Sequence, residues 1–494
     1  MGDVFENMMS NIGSVWRVFS SYLIFINMFL SIVIIFFQRK NPQSVWTWLL
    51  ILYFIPIIGF ILYLLIGMDM HKQKMFKVKE IEDNLNDIIR WQENHLISRE
   101  LEKKDPEIMD YSDLVLYNLE TGRAVLTDDN DIKILTDGNE KFDTLIEDME
   151  KAEDFIHIQY YIIKDDVLFN RIKEVLVRKV KQGVEVRLLF DSMGCRSVPS
   201  RYWRELKKEG IFIAEFFPAV LGRFQLRMNY RNHRKIVVID NNVAYVGGFN
   251  IGKEYIGLDE RFGYWRDTHL RIEGSAIITL NTRFLLDWNY AAKENLLIND
   301  RYFGLPQRRH PQGCEMQIIS SGPDSRMENI RDNYLRLIGK AKKNIYIQSP
   351  YFIPDDAVLA ALIVAVYSGI EVNIMIPCKP DHPFVYWATY SYIGELVMAG
   401  ANCYTYNKGF LHSKGIVVDD KVFCYGTANM DIRSFALNFE VNAIVYSEEK
   451  AKEMREFFEK DLEHCSQITK DVYASRSLLI RVKEQGSRLL SPLL

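Results

Sequence analysis

The sequence predicts an α/β protein: two pseudo-symmetric halves, each a mixed sheet covered by helices, after an N-terminal hairpin of two transmembrane helices. Three observations predict it. Two uncharged apolar runs stand close together near the N-terminus. One strand–helix pattern then occurs twice along the chain. Finally, HRKIVVIDNNVAYVGGFN, from His233 to Asn250, returns 179 residues later as HSKGIVVDDKVFCYGTAN, from His412 to Asn429.

The apolar runs come first. Ser20 to Phe37 and Val45 to Met68 carry no charge, and each approaches the roughly 20 apolar residues that cross a bilayer core. The first lacks the basic n-region and small-residue cleavage site of a signal peptide, and a second run follows at once. Trp46, Trp48, Tyr53 and Tyr63 include interfacial anchors. Pro56 and Gly59 are expected to kink the second helix. The short loop QRKNPQS holds Arg39 and Lys40, whereas Lys72, Lys74, Lys77 and Lys79 follow the second run. Positive-inside counting therefore makes this a multi-pass protein of the cell membrane with its large domain in the cytoplasm.

Residues 1–70 are thus the hairpin, and 71–130 a polar linker with a helix expected at Ile81–Leu101. Residues 131–310 form the first half and 311–494 the second. KILTDGNEKFDTLIEDMEKA (133–152) matches MQIISSGPDSRMENIRDNYLRLIGKA (316–341). FIHIQYYIIKDD (155–166) matches NIYIQSPYFIPDD (344–356), and VKQGVEVRLLFD (180–191) matches VYSGIEVNIMIP (366–377). The order is strand, helix, strand, helix, strand, with central strands apolar on both faces, as in sheets covered by helices. The divide falls at RRHPQG (308–313), a polar stretch with turn residues.

The repeated stretch carries the chemistry. In each copy a His-x-Lys pair opens an apolar strand, and residues i and i+2 of a strand share a face. His233 with Lys235, and His412 with Lys414, therefore point together. Asp240 and Asp419 end these strands, and NN and DDK read as hairpin turns. The returning strands end at Asn250 and Asn429, which brings His, Lys and Asn of each copy to one end of a sheet. Gly247 and Gly426 permit a sharp turn or a close backbone approach. Lysine and asparagine donate to phosphate oxygens, and imidazole serves as nucleophile or general acid. If both copies meet at one phosphorus, one histidine attacks while the other protonates the leaving oxygen. The four donors then stabilise the negatively charged pentacoordinate state. Such chemistry needs no metal, and no carboxylate cluster stands ready to hold one. Asp240 and Asp419 either take part in catalysis, by orienting a histidine, or lock their hairpins.

The pattern HxK-x4-D-x6-G-x2-N, present twice, resembles the phospholipase D superfamily over residues 130 to 490. YRNHRKIVVID, VGGFNIGKEY, YWRDTHLRIEGSA, CKPDHPFVYWA and KGFLHSKGIVVDD strengthen the likeness. With two N-terminal spans, the whole is similar to its bacterial cardiolipin-forming branch. The resemblance implies a phosphatidyl transfer from phosphatidylglycerol through a phosphatidyl-histidine, giving cardiolipin and glycerol. It places the nucleophile at His233, the acid and base at His412, and the phosphoryl oxygens on Lys235, Lys414, Asn250 and Asn429. No cofactor is implied, in keeping with the lack of a GxxxxGK loop. Glu254 and Glu440 are candidates to orient the histidines. Asp431, Arg433, Ser434 and Asn438 flank the second copy. His269 and His382 sit in similar strings without an assigned role. The aromatic stretches 216–230 and 382–392 suit a lipid entrance or a packed core.

Other activities use the same motif. Phospholipid hydrolysis and phosphatidylserine synthesis stay open at this point, as does, more remotely, a lipid-binding scaffold without turnover. A net charge of −4 lacks the basic excess of nucleic-acid binders. The six cysteines are scattered with no CxxC pair, which argues against a disulfide framework or a zinc site.

Overall fold

The computed structural model describes residues 22–36 except 24, 42–63, and 106–491 except 219–229, 298, 305, 307–309, 326 and 380. These fall into two compact units, one holding the described residues within 1–72 together with 489–491, and one spanning 106–218 and 230–488. Arg39, Lys40, the four lysines after the second apolar run, and the helix expected at 81–101 lie outside the described residues.

In the N-terminal unit residues 25–36 are helical, and the second apolar run forms two helices, α1 (Pro42–Phe54) and α2 (Pro56–Leu62). The interruption has a local cause. Pro56 has no N–H, so the carbonyl of Leu52, four residues back, loses its helical donor. Asn27 supplies one, its Nδ2 donating to Leu52 O at 3.3 Å and to Pro56 O at 3.0 Å. Trp48 and Tyr63 pack edge to face at 5.3 Å. Among the described residues no helix is long and apolar enough to cross a membrane.

The large unit repeats one strand order. In the first half β1 (Thr127–Asp137), β2 (Phe155–Tyr160), β3 (Glu185–Asp191) and β4 (Phe212–Phe216) precede β5 (Arg231–Asn232). Then come β6 (Ile236–Ile239), β7 (Val243–Gly247) and β8 (Tyr264–Glu273). The second half holds β9 (Cys314–Ser321), β10 (Asn344–Gln348), β11 (Phe352–Ile353), β12 (Glu371–Pro377), β13 (Asn402–Tyr406) and β14 (Gly409–Leu411). It continues through β15 (Gly415–Val418), β16 (Val422–Gly426), β17 (Met430–Asp431), β18 (Asn438–Tyr446) and β19 (Cys465–Gln467).

Strands β4, β3 and β2 run parallel, and β6, β7, β8 and β1 continue the sheet antiparallel. Strands β13, β12, β10, β15, β16, β18 and β9 repeat that order. The strand alternation of β6 explains its unbroken apolar run. Ile236 and Val238 enter a core that also holds Val417, Phe439 and Val441 of the second half. Val237 and Ile239 enter the first half's own core with Phe142, Leu145 and Ile158.

Two short strands cross between the halves. β5, just before His233, pairs in parallel with β18 of the second half. β14, just before His412, pairs in parallel with β8 of the first. The exchange places each histidine against the opposite half.

The expected polar linker is not wholly a spacer. Its last part forms α3 (Pro106–Met109) and α4 (Ser112–Gly122), and Leu114, Val115 and Leu119 of α4 are buried. Asn118 donates to Gln317 and Asn333 at 3.0 Å each, so α4 is part of the second half's packing. The apolar spacing of those three residues is the signal that its charged neighbours obscured.

Candidate active site

The crossing strands fix both histidines from backbone outward. His233 N donates to Phe439 O at 2.9 Å, and His412 N to Arg266 O at 2.7 Å. In each case the next residue along the acceptor strand is a carboxylate aimed at the ring. His233 Nδ1 lies 2.9 Å from Glu440 Oε1, and His412 Nδ1 lies 2.6 Å from Asp267 Oδ2. A carboxylate on Nδ1 holds that proton and leaves Nε2 for chemistry. Thr427 Oγ1 donates to Glu440 at 2.6 Å, and Thr268 N to Asp267 at 2.8 Å.

Asp267 and Glu440 are equivalent positions. Gly247 pairs with His269 and Gly426 with Asn442, and each carboxylate lies two residues before its partner strand's paired residue. Sequence reading reached Glu440 and missed Asp267. The reason is an insertion: Asp267 follows Asn250 by 17 residues, whereas Glu440 follows Asn429 by 11. Glu254, the other orienting candidate, sits instead in an ion pair with Lys164 at 2.5 Å. Gly248 shows how tightly Asp267 is seated, because a Cβ there would lie 1.9 Å from its Oδ1.

Both lysines are buried at the histidines. Lys235 Nζ donates to His233 O at 2.6 Å. Lys414 Nζ donates to His412 O and lies 2.7 Å from His412 Nδ1 and 3.8 Å from Asp267. Their charges are felt across the divide. Burial pulls Lys235 well below the usual lysine range, with Lys414 adding to the effect against Glu440 and Asp267. Burial lowers Lys414 to about 8, opposed by Asp267 and Glu440. The imidazoles follow the same physics. Burial lowers His233, Glu440 resists, and Lys235 and Lys414 push further down. Burial and then Lys414 bring His412 to about 4. Burial alone would raise Asp267, but Lys414 and His412 hold it below the usual carboxylate range.

Asp240 and Asp419 are corrected by the structure. They stand at the far end of β6 and β15 from the histidines, and their carboxylates accept backbone N–H groups. Asp240 takes those of Glu153, Asp154 and Phe155 at 2.7, 2.9 and 2.7 Å. Asp419 takes those of Lys342, Lys343 and Asn344 at 2.8, 2.7 and 3.1 Å. Four strand residues at about 3.3 Å each separate them from their lysines, so neither aspartate reaches the chemistry. The two central residues of each turn, Asp240–Asn241 and Asp419–Asp420, take positive φ, which hairpin turns of type I′ require.

Asn250 lies at the site's end of β7. It accepts from Ile162 N at 3.1 Å and donates to Tyr255 OH at 3.1 Å. Asn429 is buried at the same place in the second half. Gly247 and Gly426 serve the neighbouring strand: a Cβ at Gly247 would meet His269 Cα at 2.5 Å, and one at Gly426 would meet Val441 O at 2.4 Å. Asp431 caps the helix α5 (Ile432–Ala436) by accepting Ser434 N at 2.6 Å, and burial raises its carboxyl to about 6. Asn438 Nδ2 reaches Glu440 at 3.4 Å. His269 is fully buried behind the first motif, whereas the His382 side chain is 71% exposed. Of the stretch 216–230, residues 219–229 lie outside the described residues, and Phe216, Phe217 and Tyr230 belong to the core.

Beneath the motifs two ion pairs anchor the crossing. Arg234 donates to both oxygens of Asp287 at 2.6 and 2.7 Å, and its Nε to Glu440 O at 3.2 Å. Arg266 meets Asp461 at 2.8 Å.

Comparison with known proteins gives one consistent result. A family model described as "Cardiolipin synthase, PLD-like domain" matches residues 145–263 and 334–462. One described as "Phospholipase_D-nuclease N-terminal" matches 25–67. The chain is 47% identical over 472 residues to a cardiolipin synthase of Oceanobacillus iheyensis, covering 95% of this chain and 97% of that one. It is 45% identical over 483 residues to the major cardiolipin synthase of Bacillus subtilis, covering 97% and 100%. A cardiolipin synthase of Staphylococcus aureus is 48% identical over 471 residues, covering 95% of each. Among solved structures, a phosphatidylserine synthase of Haemophilus influenzae shares the fold. Its TM-score is 0.57 at 14% identity, over 74% of this chain and 95% of that one.

Proposed function

The chain belongs to the cardiolipin synthases of the phospholipase D superfamily, and from that premise we propose that it joins two phosphatidylglycerols into cardiolipin and glycerol at its paired histidines. The observation that carries this reading is the exchange of β5 and β14. Each imidazole is held by a carboxylate of the other half, which supports a single site served by both.

The reaction is two displacements. Nε2 of His233 attacks the phosphorus of one phosphatidylglycerol, and the bond from phosphorus to the glycerol oxygen breaks. His412 gives that oxygen a proton, and glycerol leaves. The primary hydroxyl of a second phosphatidylglycerol then attacks the phosphatidyl-histidine and loses its proton to His412. The phosphorus–nitrogen bond breaks, and cardiolipin departs with His233 restored. Lys235, Lys414, Asn250 and Asn429 surround the phosphoryl oxygens. Burial favours neutral imidazoles in the free site. The negative charge of an arriving phosphodiester favours a protonated His412, so the acid's proton is gained with the substrate, while His233 attacks as the neutral imidazole.

The N-terminal unit is a membrane hairpin in this reading. Phe25, Phe29, Phe36, Tyr53 and Phe54 turn outward, each more than 60% exposed, which suits a lipid surround rather than water. The catalytic unit faces the cytoplasm. Labelling of single engineered cysteines from either side of intact cells tests that orientation.

The activity test uses purified protein in detergent micelles with phosphatidylglycerol as sole lipid, EDTA present and no nucleotide. The expected products are cardiolipin and glycerol in equal amounts, absent in His233→Ala and His412→Ala. Phosphatidic acid as main product would make the protein a hydrolase.

A further inference from the structure

The two flanks of the site differ where the motifs do not. Arg231 stands two residues before His233 on one extended segment, so the two share a face. The matching residue before His412 is Phe410, whose ring lies 6.0 Å from that imidazole. Four residues beyond Asn429 stands Arg433, on α5, whereas the residue at that spacing beyond Asn250 is Glu254, paired with Lys164. Tyr161 stacks edge-on against His233 at 4.9 Å, where the matching residue of the second half is Pro350. On the other flank Trp265 lies 5.1 Å from His412. One flank is therefore cationic and the other aromatic.

We propose that Arg231, Arg433 and the hydroxyl of Tyr161 form a second phosphodiester subsite beside His233. It holds the phosphate of the lipid whose hydroxyl attacks in the second displacement. The proposal rests on the transfer reading above. A second phosphatidylglycerol brings its own negative phosphate, one three-carbon bridge from the phosphorus it attacks. The His/Lys cluster is already occupied by the phosphatidyl group, so a second set of donors is needed. Arginine suits it, with a planar fork of donors matched to phosphate oxygens.

The flank's electrostatics agree. Burial lowers Arg231, opposed by Asp191 and Tyr161. Burial lowers Arg433 too, opposed by Asp431, while Arg231 adds to the lowering. A phosphate anion placed between the two guanidiniums is attracted by both.

The test separates two acceptors. Free glycerol, isotopically labelled, exchanges into phosphatidylglycerol without bringing a phosphate; phosphatidylglycerol as acceptor brings one. Arg231→Gln and Arg433→Gln are expected to lower cardiolipin formation by about 10- to 100-fold, the worth of a charge-assisted hydrogen bond, and to leave glycerol exchange unchanged. Arg231→Lys and Arg433→Lys recover part of the loss, and they decide the matter should a glutamine variant not fold. The subsite is overturned if exchange and synthesis fall together in glutamine and lysine variants alike, or if synthesis is unaffected. Wild-type protein that performs neither reaction would instead overturn the transfer reading itself.

Discussion

The first and second halves of the large unit share a strand order and a motif, yet they differ in almost everything that surrounds the motif. His233 meets a glutamate and His412 an aspartate. The first motif is flanked by Tyr161 and Arg231, the second by Trp265 and Phe410. Behind the first motif lies the buried His269, and at the equivalent position behind the second lies Asn442, which donates to Tyr334 at 3.0 Å. The difference teaches what each part is for. In the proposed reaction one phosphorus needs two imidazoles, two ammonium groups and two orienting carboxylates, and these are symmetric. The two lipids of that reaction have different tasks and would need different surroundings, and the flanks of the motifs are not symmetric.

The strongest way to break the comparison is to remove one histidine. Two independent sites would leave each single variant about half of the activity. One shared site predicts that His233→Ala and His412→Ala each lose about 10^4-fold or more, with the double variant scarcely worse, because residues acting as a unit are not additive. Initial rates of cardiolipin formation check this.

Next come the carboxylates that cross between the halves. Asp267→Asn and Glu440→Gln keep the shape but offer an amide that can present its N–H₂ to Nδ1, which favours the wrong tautomer. Losses of about 10^2- to 10^4-fold in kcat are expected with the far-UV circular dichroism unchanged. Asp267→Asn should be the more severe, since Asp267 also faces Lys414.

Asp240 and Asp419 sharpen the comparison from the structural side. Each ties its turn to three backbone N–H groups. Asp240→Ala and Asp419→Ala should cost similar stability, about 1–3 kcal/mol each, read as lower melting temperatures. Turnover at a permissive temperature should stay near wild type. A collapse of kcat with unchanged stability would return them to the chemistry.

The smallest effect is an acid asymmetry. A histidine whose folded pKa lies below its unfolded value of about 6.5 lends stability that is complete above 6.5 and is lost as pH falls through the folded value. Burial places His157 at about 3 and His269 well below the usual range. With His233 they make three such residues in the first half; in the second, His412, at about 4, is the one lowered histidine among those described. Between pH 6.5 and 4 the melting temperature should fall, and hydrogen exchange should rise first in β2, β6 and β8. Earlier opening of β10 and β15 would contradict the assignment.

The sequence carried the duplication and the strand order, because each rests on local pattern. Alternation on β6 and β15 follows from which residues can be buried on both faces, and spacing alone aligned the two motifs. What it did not carry is non-local. The exchange of β5 and β14 involves strands of two and three residues, too short to show a period. Asp267 was hidden by the longer connection between Asn250 and β8. Asp240 and Asp419 look catalytic by proximity in the chain, but a strand of four residues carries them to the opposite end of the sheet. Pro56 and Gly59 were read as a kink, and α1 and α2 do part at Pro56, with Asn27 meeting the orphaned carbonyl.

The most direct test of two histidines acting in turn on one phosphorus is the steric course at that atom. Phosphatidylglycerol made chiral at phosphorus with sulfur would be turned over, and the configuration of the cardiolipin centre derived from it determined. Two in-line displacements through a phosphatidyl-histidine predict overall retention. Inversion would mean that the second lipid attacks the first directly, and the covalent role given to His233 would be wrong.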